Sequence, residues 1–307
     1  LDSYLIDSKL IKAEAQRLGF FACGIAKARF LEEEAEHFEN WLKNGMNASM
    51  FYMEKNFDKR LDPSKLVPGA KSVISVLLNY YPKDIQLYGD APILSKYAFG
   101  EDYHFVVKDK LNTLLDFIIQ KTGSINARVF TDSAPVLDKK WAELAGIAWR
   151  GKHSGMLTRQ GSFFFIGEII LDIELEYSQP INSLCGTCTK CINACPTGAI
   201  VEPYIIDSGK CISYFTIEHK DAFPDELRGK FNNRLFGCDI CQDVCPYNRK
   251  PIFTQEQRFK PDARLLEMTT TDWDELSNEI FNEMFKNSPL KRTGYEGIKR
   301  NLDFLKS

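Results

Sequence analysis

Seven cysteines in two short runs, with an eighth between them, could bind iron. Cys185, Cys188, Cys191 and Cys195, closed by Pro196, stand at C-x2-C-x2-C-x3-C-P. This is the spacing of the bacterial iron–sulfur run, in which three thiolates cap one [4Fe–4S] cube and the fourth ligates a second cube. A second set is therefore required. Cys238, Cys241 and Cys245 repeat the C-x2-C-x3-C-P half before Pro246, and Cys211 lies alone between the runs. With Cys23 set aside, the chain's nine cysteines leave the eight that two cubes need. One cluster is assigned Cys185, Cys188, Cys191 and Cys245, the other Cys195, Cys211, Cys238 and Cys241. Zinc sites built on the CxxC pairs and a disulfide framework are the competing readings. Zinc explains the pairs but not a third cysteine followed by Cys-Pro.

Two one-electron centres in one small region imply a route for electrons toward something bound elsewhere. The stretch before the clusters is too long for a plain ferredoxin. At 307 residues, 44% hydrophobic and 26% charged, the chain has the composition of one globular enzyme. No apolar run approaches the roughly 20 residues of a membrane span, and the opening LDSYLIDSKL lacks a signal pattern. A cytoplasmic protein with reduced thiols is expected. The net charge of −3 excludes a uniformly basic nucleic-acid binder.

The elements that must position the site alternate sheet and helix. The pattern from Asp7 to Gly19 predicts an amphipathic helix, Phe20 to Ile25 a strand with Cys23 as a buried thiol, and Leu31 to Leu42 and Ala48 to Lys55 further helices. Ser72 to Tyr81 reads as a strand, a long helix starts near Asp102, and strands are expected at Ala127 to Thr131 and Gly161 to Leu175. Tyr103 and His104 fall at a helix start, either lining a site or packed behind an Asp102 cap. Asp132, ahead of Pro135, reads equally as a helix cap or an acid. Gly146, Gly151 and Lys152 imitate a phosphate-binding loop, but His153 stands where Ser or Thr would hold magnesium. No G-x-G-x-x-G follows a strand.

These patterns predict an α+β fold with a mixed sheet and flanking helices over residues 1–178. A ferredoxin-like two-cluster region over 179–250 and a helical segment with a basic tail over 251–307 follow. In the tail, Lys286, Lys291, Arg292, Lys299, Arg300 and Lys306 face only Glu296 and Asp303, a candidate phosphate-contacting surface. Arg228, Lys230 and Arg234 lie on a stretch expected to be helical.

YAFGEDYH (Tyr97 to His104), TDSAPVLDK (Thr131 to Lys139), AGIAWRGKHS (Ala145 to Ser154), the first cysteine run through Ile200, KCISY (Lys210 to Tyr214), LFGCDICQDVCP (Leu235 to Pro246) and the tail KRTGYEGIKRN together resemble the epoxyqueuosine reductases, in their short form without an added helical-repeat domain. The resemblance implies removal of the epoxide oxygen of epoxyqueuosine at the wobble position of GUN-anticodon tRNAs (Asp, Asn, His and Tyr). It implies base-off cobalamin fed by two [4Fe–4S] clusters, and a kinship with reductive dehalogenases. The D-x-H-x-x-G signature that supplies a cobalt histidine is absent, since Phe105, Val106 and Val107 follow His104. Asp132 matches the family's proton donor, for which a raised pKa is expected.

The same resemblance places Arg60, Ser95, Asp132, His153, Met156 and Ile166 against the corrin, with Ser213 and Asp239 toward the clusters. Core packing is the alternative for Met156 and Ile166, and a surface ion pair for Arg60. It also places Lys220, Arg228, Lys230, Lys291, Arg292, Lys299 and Arg300 on the anticodon stem–loop phosphates. An external flavodoxin or ferredoxin as donor and a monomeric protein are expected. A corrinoid or flavin-dependent small-molecule reductase and a non-catalytic two-cluster electron carrier are the alternatives.

Overall fold

A computed structural model describes residues 6–306; residues 1–5, part of the opening stretch read for a signal pattern, and Ser307 lie outside the described residues. The sheet that carries the site has four strands, β1 (Ala22–Lys27), β2 (Ser72–Asn79), β3 (Ala127–Phe130) and β4 (Phe164–Leu171), in the order β1-β2-β4-β3. Every pairing is antiparallel. The α+β class holds, but the sheet itself is not mixed. The crossover from β2 to β3 leaves a gap one strand wide, and β4 fills it running opposite to both. Parallel pairing is confined to a short ladder between Ile93–Leu94 and Arg234–Phe236.

Both faces of this sheet are covered, which is why SVISVLL is apolar without strict alternation; every residue from Ser72 to Leu78 is buried. On one face, α1 (Ser8–Arg17) and α2 (Tyr103–Thr122) pack Ile11, Ala15, Val107, Leu111 and Ile118 onto Ile25, Ile74, Val76 and Ile169. Gly167 lets α2 seat directly on β4: a Cβ there would lie 2.7 Å from Val107 Cγ1 and 2.8 Å from Leu111 Cδ1. On the other face, α3 (Asp138–Leu144) sets Trp141 against a layer of Leu31, Leu61, Val73 and Ile170. Asp7 caps α1 through the Lys9 amide, and Asp102 caps α2 through the His104 amide at 3.0 Å.

Two expected helices are absent for a backbone reason. Ala48 and Asn56 take φ of 48° and 59°, so Ala48–Lys55 forms turns around a short 3-10 helix, Phe51–Met53, and a helix begins only at Phe57. The stretch carrying Arg228, Lys230 and Arg234 holds one 3-10 turn, Asp225–Leu227, between Pro224 and the positive-φ residues Gly229, Asn232 and Asn233.

The C-terminal helix α4 (Gly294–Leu305) brings Ile298 and Leu302 into a cluster with Trp273, Phe281, Leu94, Phe99, Leu235 and Phe236. Buried Asn301 donates to the carbonyls of Thr216 and Leu235, both at 2.9 Å. The C-terminal segment is thereby fastened to both earlier parts of the chain. Among the described residues no helix is long and apolar enough to cross a membrane.

Candidate active site

The cysteines gather around two cavities. One, of about 240 Å³, is lined by Cys185, Cys188, Cys191 and Cys245. The other, of about 340 Å³, is lined by Cys195, Cys211, Cys238 and Cys241. The grouping follows the ligand rule of the sequence motif, with Cys245 crossing from the second run to the first cavity and Cys195 crossing the other way. The crossing has a local cause. Cys195 and Cys245 precede prolines and take extended conformations, φ/ψ of −70°/110° and −69°/129°, each ending a helical turn. Burial raises the thiol pKa of Cys191, Cys211, Cys238 and Cys245, and charges within the same quartet add to the effect; Cys238 is pushed up to about 12. Such thiols surrender their protons to a metal that replaces them. Among the described residues no three His, Cys, Asp or Glu side chains converge tightly enough for a single metal ion.

The second cavity extends from its cysteines to the sheet. Its wall includes Met156, Ile166, His153 and Ser213, together with Tyr80, Phe164 and Lys139. Three of the six expected corrin contacts are thus on one surface with the cluster-side Ser213, while Arg60 and Asp132 are not among its lining residues. Ser95 and Asp239 are not on this wall. Both are buried, the Ser95 hydroxyl donates to Asp239, and the Lys96 amide donates to the same carboxylate at 2.8 Å. They pin the cluster region to the segment before α2. Arg60 is buried and forms no surface ion pair: one nitrogen donates to the Tyr52 carbonyl at 3.1 Å, and Nε is buried without a partner.

His153 tests the fit to cobalamin. Burial pulls its pKa down to about 4, with Lys139 adding to the effect, so the ring is neutral. The Gly155 amide donates to Nδ1 at 3.0 Å, which leaves the ring proton on Nε2, and Nε2 is buried without a partner. A protonated ring nitrogen cannot bind cobalt but can donate to an amide or phosphate. The residues therefore fit a corrin without a histidine ligand.

Asp132 stands in a left-handed turn, φ 51°, not at a helix cap; α3 starts later and Leu137 occupies its cap position. The turn is fastened to the cavity wall, because the Thr131 hydroxyl donates to the Ile166 carbonyl at 2.9 Å. The Tyr103 hydroxyl donates to Asp132 Oδ2, and His104 Nε2 approaches the same oxygen at 3.4 Å. On the far side of the imidazole, Asp102 Oδ1 lies 2.7 Å from Nδ1.

The expected raised pKa of Asp132 is not found. Burial pushes its carboxyl up, but the His104 and Tyr103 hydrogen bonds outweigh this and hold it below the usual value. Its side chain is nevertheless 61% accessible to solvent, which limits the push from burial. Conversely, burial alone would lower His104, yet Asp102 and Asp132 raise it to about 9. The resting proton is therefore on the imidazole.

A buried acid pair escaped the sequence reading. Glu168 on β4 is fully buried beside Asp138, and burial raises both pKa values. Ser75, across the β2–β4 pairing, is also buried with its hydroxyl unpartnered. The one available signal was a lone Glu inside the apolar strand FFFIGEIIL. Lys139 was likewise passed over as a cavity residue.

Six of the seven basic residues expected on RNA already have partners within the protein. Lys220 donates to the Arg292 carbonyl, and Arg292 pairs with Glu218 at 2.9 Å with its guanidinium 6.0 Å from the Tyr52 ring. Tyr52 in turn accepts from Arg60 through its carbonyl, which joins Arg292 to the expected corrin contacts. Arg300 is committed internally to the carbonyls of His219 and Phe215. Lys299 bonds the Asp274 carbonyl, Lys291 bonds Asn282, and Arg228 pairs with Asp225. Lys230 is exposed.

An antiparallel α+β body with an acid turn tied to the wall of one of two four-cysteine cavities defines an iron–sulfur oxidoreductase. Residues 184–248 match the 4Fe-4S double cluster binding domain, and residues 60–133 match the epoxyqueuosine reductase QueG family of DUF1730. The chain is 57% identical to an epoxyqueuosine reductase of Cellulophaga algicola over 97% of its own length and 98% of the relative's. It is 40% identical to that of Escherichia coli K12, over 95% of this chain and 78% of the relative. A crystal structure of an epoxyqueuosine reductase with an epoxyqueuosine-modified tRNA-Tyr stem loop superposes with a TM-score of 0.90 at 31% identity, covering 97% of this chain and 80% of that one. A Bacillus subtilis relative, with the same TM-score, identity and coverage, has its catalytic aspartate loop swung out of the active site. The chain belongs to the epoxyqueuosine reductase family.

Proposed function

We propose that this protein reduces epoxyqueuosine to queuosine at the wobble position of tRNAs for Asp, Asn, His and Tyr, with Asp132 delivering protons to the departing oxygen. The observation that carries this reading is the Asp132 turn, fastened to a cavity whose far wall is a four-cysteine chamber. Removing an epoxide oxygen as water, leaving an alkene, takes two electrons and two protons. Breaking the C–O bonds without a positioned proton would release a bare alkoxide, so a donor in hydrogen-bond reach lowers the barrier.

Cobalamin bound against the sheet side of the larger cavity, beside the cluster that Cys195, Cys211, Cys238 and Cys241 would hold, would supply the reducing centre, with electrons provided by the clusters. This chain's residues would do the rest. Met156, Ile166 and Phe164 offer apolar contact to the corrin; His153 Nε2–H, Arg60 Nε–H and Ser213 offer donors to its polar edge. Tyr103, stacked on Phe165 with centroids 4.2 Å apart, holds the acid turn in register with the cavity. The modified base has to leave the anticodon stack to reach Asp132. The carbon skeleton is thereby kept at the cavity mouth while protons arrive from the Asp132 side.

Lys220 and Arg292 would take loop phosphates, with Tyr52 as a stacking surface. Charge reversal at both, Lys220→Glu with Arg292→Glu, is expected to weaken stem–loop binding and reduce its salt slope by about 2. An unchanged slope removes them from the interface. The electrons would come from an external flavodoxin or ferredoxin to a monomeric cytoplasmic enzyme. The function is tested with anaerobically reconstituted protein and a stem–loop bearing epoxyqueuosine. Loss of one oxygen atom from the nucleoside is expected; an intact epoxide after reaction with a strong reductant contradicts the reading.

A further inference from the structure

We propose that His104, held by Asp102, is the positioning residue that reloads Asp132 with protons from solvent during the reduction. The inference rests on the epoxide-reduction reading and extends it. Each turnover consumes two protons, whereas Asp132 carries one carboxyl and rests as the carboxylate. It therefore needs a supply.

The geometry supplies a line of three groups. Asp102 Oδ1 lies 2.7 Å from His104 Nδ1, and His104 Nε2 lies 3.4 Å from Asp132 Oδ2. The latter distance is long for a hydrogen bond, as such contacts often are before substrate is bound. Asp102 Oδ1 also accepts the His104 amide at 3.0 Å, so the cap of α2 orients the imidazole that follows it. Tyr103 stacks on the imidazole with centroids 4.2 Å apart and fixes its plane. The side chains of His104 and Asp102 are 33% and 23% accessible, which opens the line to water.

The proton count closes. The Nε2–H bond of His104 breaks as an O–H bond forms on Asp132; that O–H breaks as the substrate oxygen is protonated; and His104 takes a proton from solvent. The Asp102 carboxylate stabilises the imidazolium throughout, and burial opposes it, leaving His104 at about 9. The charges facing His104 are Asp102 from its own helix start and Asp132 from the turn after β3, with the Tyr103 hydroxyl on the same Asp132 oxygen. Lys139, Arg60 and Arg292 act on the Asp132 end of the line.

The test is the single-turnover rate against pH for wild type, His104→Gln and Asp102→Asn, each holding both clusters and corrin, with stem–loop affinity and melting temperature measured alongside. Asparagine at 102 still caps the helix but carries no charge. The wild-type rate is expected to fall as pH rises through about 9. Asp102→Asn should move that limb at least about one unit lower. His104→Gln should erase it and slow the reaction about 10²-fold, while RNA affinity and melting temperature change little. Added imidazole should restore part of the rate to His104→Ala. A limb that persists in His104→Gln, or stays in place in Asp102→Asn, overturns the proposal while leaving the reduction reading standing. No conversion by wild type at any pH overturns both.

Discussion

Asp132→Asn is expected to slow epoxide reduction by about 10²- to 10⁴-fold, with iron content and stem–loop affinity close to those of the wild type. Asparagine has the same shape, tolerates the left-handed φ of 51° and can still accept from the Tyr103 hydroxyl. What it loses is the ability to hold and release a proton. Because Thr131 fastens the turn to Ile166 independently of the carboxylate, the loss should not spread into the cavity. The change should therefore appear in the bond-breaking step and not in binding, so kcat falls and KM moves little. His104 should also relax, because one of the two carboxylates that raise its pKa is gone; its titration should fall below about 9. Retention of the wild-type rate would remove Asp132 from the chemistry, and the RNA-bound proton would have to come from elsewhere.

Cys245→Ala should remove the same cluster as Cys185→Ala, although Cys245 belongs to the other run. Cys185, Cys188, Cys191 and Cys245 line one cavity, and the other four line the second. Each single substitution should lower bound iron from about eight to about four. The pairs decide the matter: Cys185→Ala with Cys245→Ala should lose no more iron than either alone, whereas Cys245→Ala with Cys238→Ala should leave almost none. If Cys238 and Cys245 behave as one set, each run closes its own site and the crossed assignment fails. Reduction of the tRNA should stop in every variant that breaks the electron route, while stem–loop binding survives, because the basic residues proposed to hold it come from the Lys220 and Arg292 neighbourhood.

The grouping of the cysteines around two cavities was legible because cluster ligation imposes short, fixed spacings that sequence displays directly. The strand beginning at Ser72 and the long helix after Asp102 were legible for a similar reason: an unbroken apolar run and a capped periodic one. The sheet's direction was not, since β4 enters the gap between β2 and β3 from some 30 residues farther on, and no local pattern encodes that insertion. Nor were the helix failures near Ala48 and Asn232, where positive φ at ordinary residues overrides apolar spacing.

At the site, Asp132 could be named but its protonation could not. Its state is set by His104, distant in sequence and brought close only when α2 packs beside β3. The tail's charge excess was real in composition, yet Arg300 and Lys299 are bound to backbone carbonyls, a use of basic side chains that composition cannot reveal.

The most direct measurement is queuosine formation by the anaerobically reconstituted, desalted protein with iron and corrin quantified in the same sample, with and without added cobalamin. The account predicts about eight iron, one retained corrin whose spectrum shows no coordinated base, and conversion only when the corrin is present. Equal conversion by protein carrying both clusters and no corrin would contradict it.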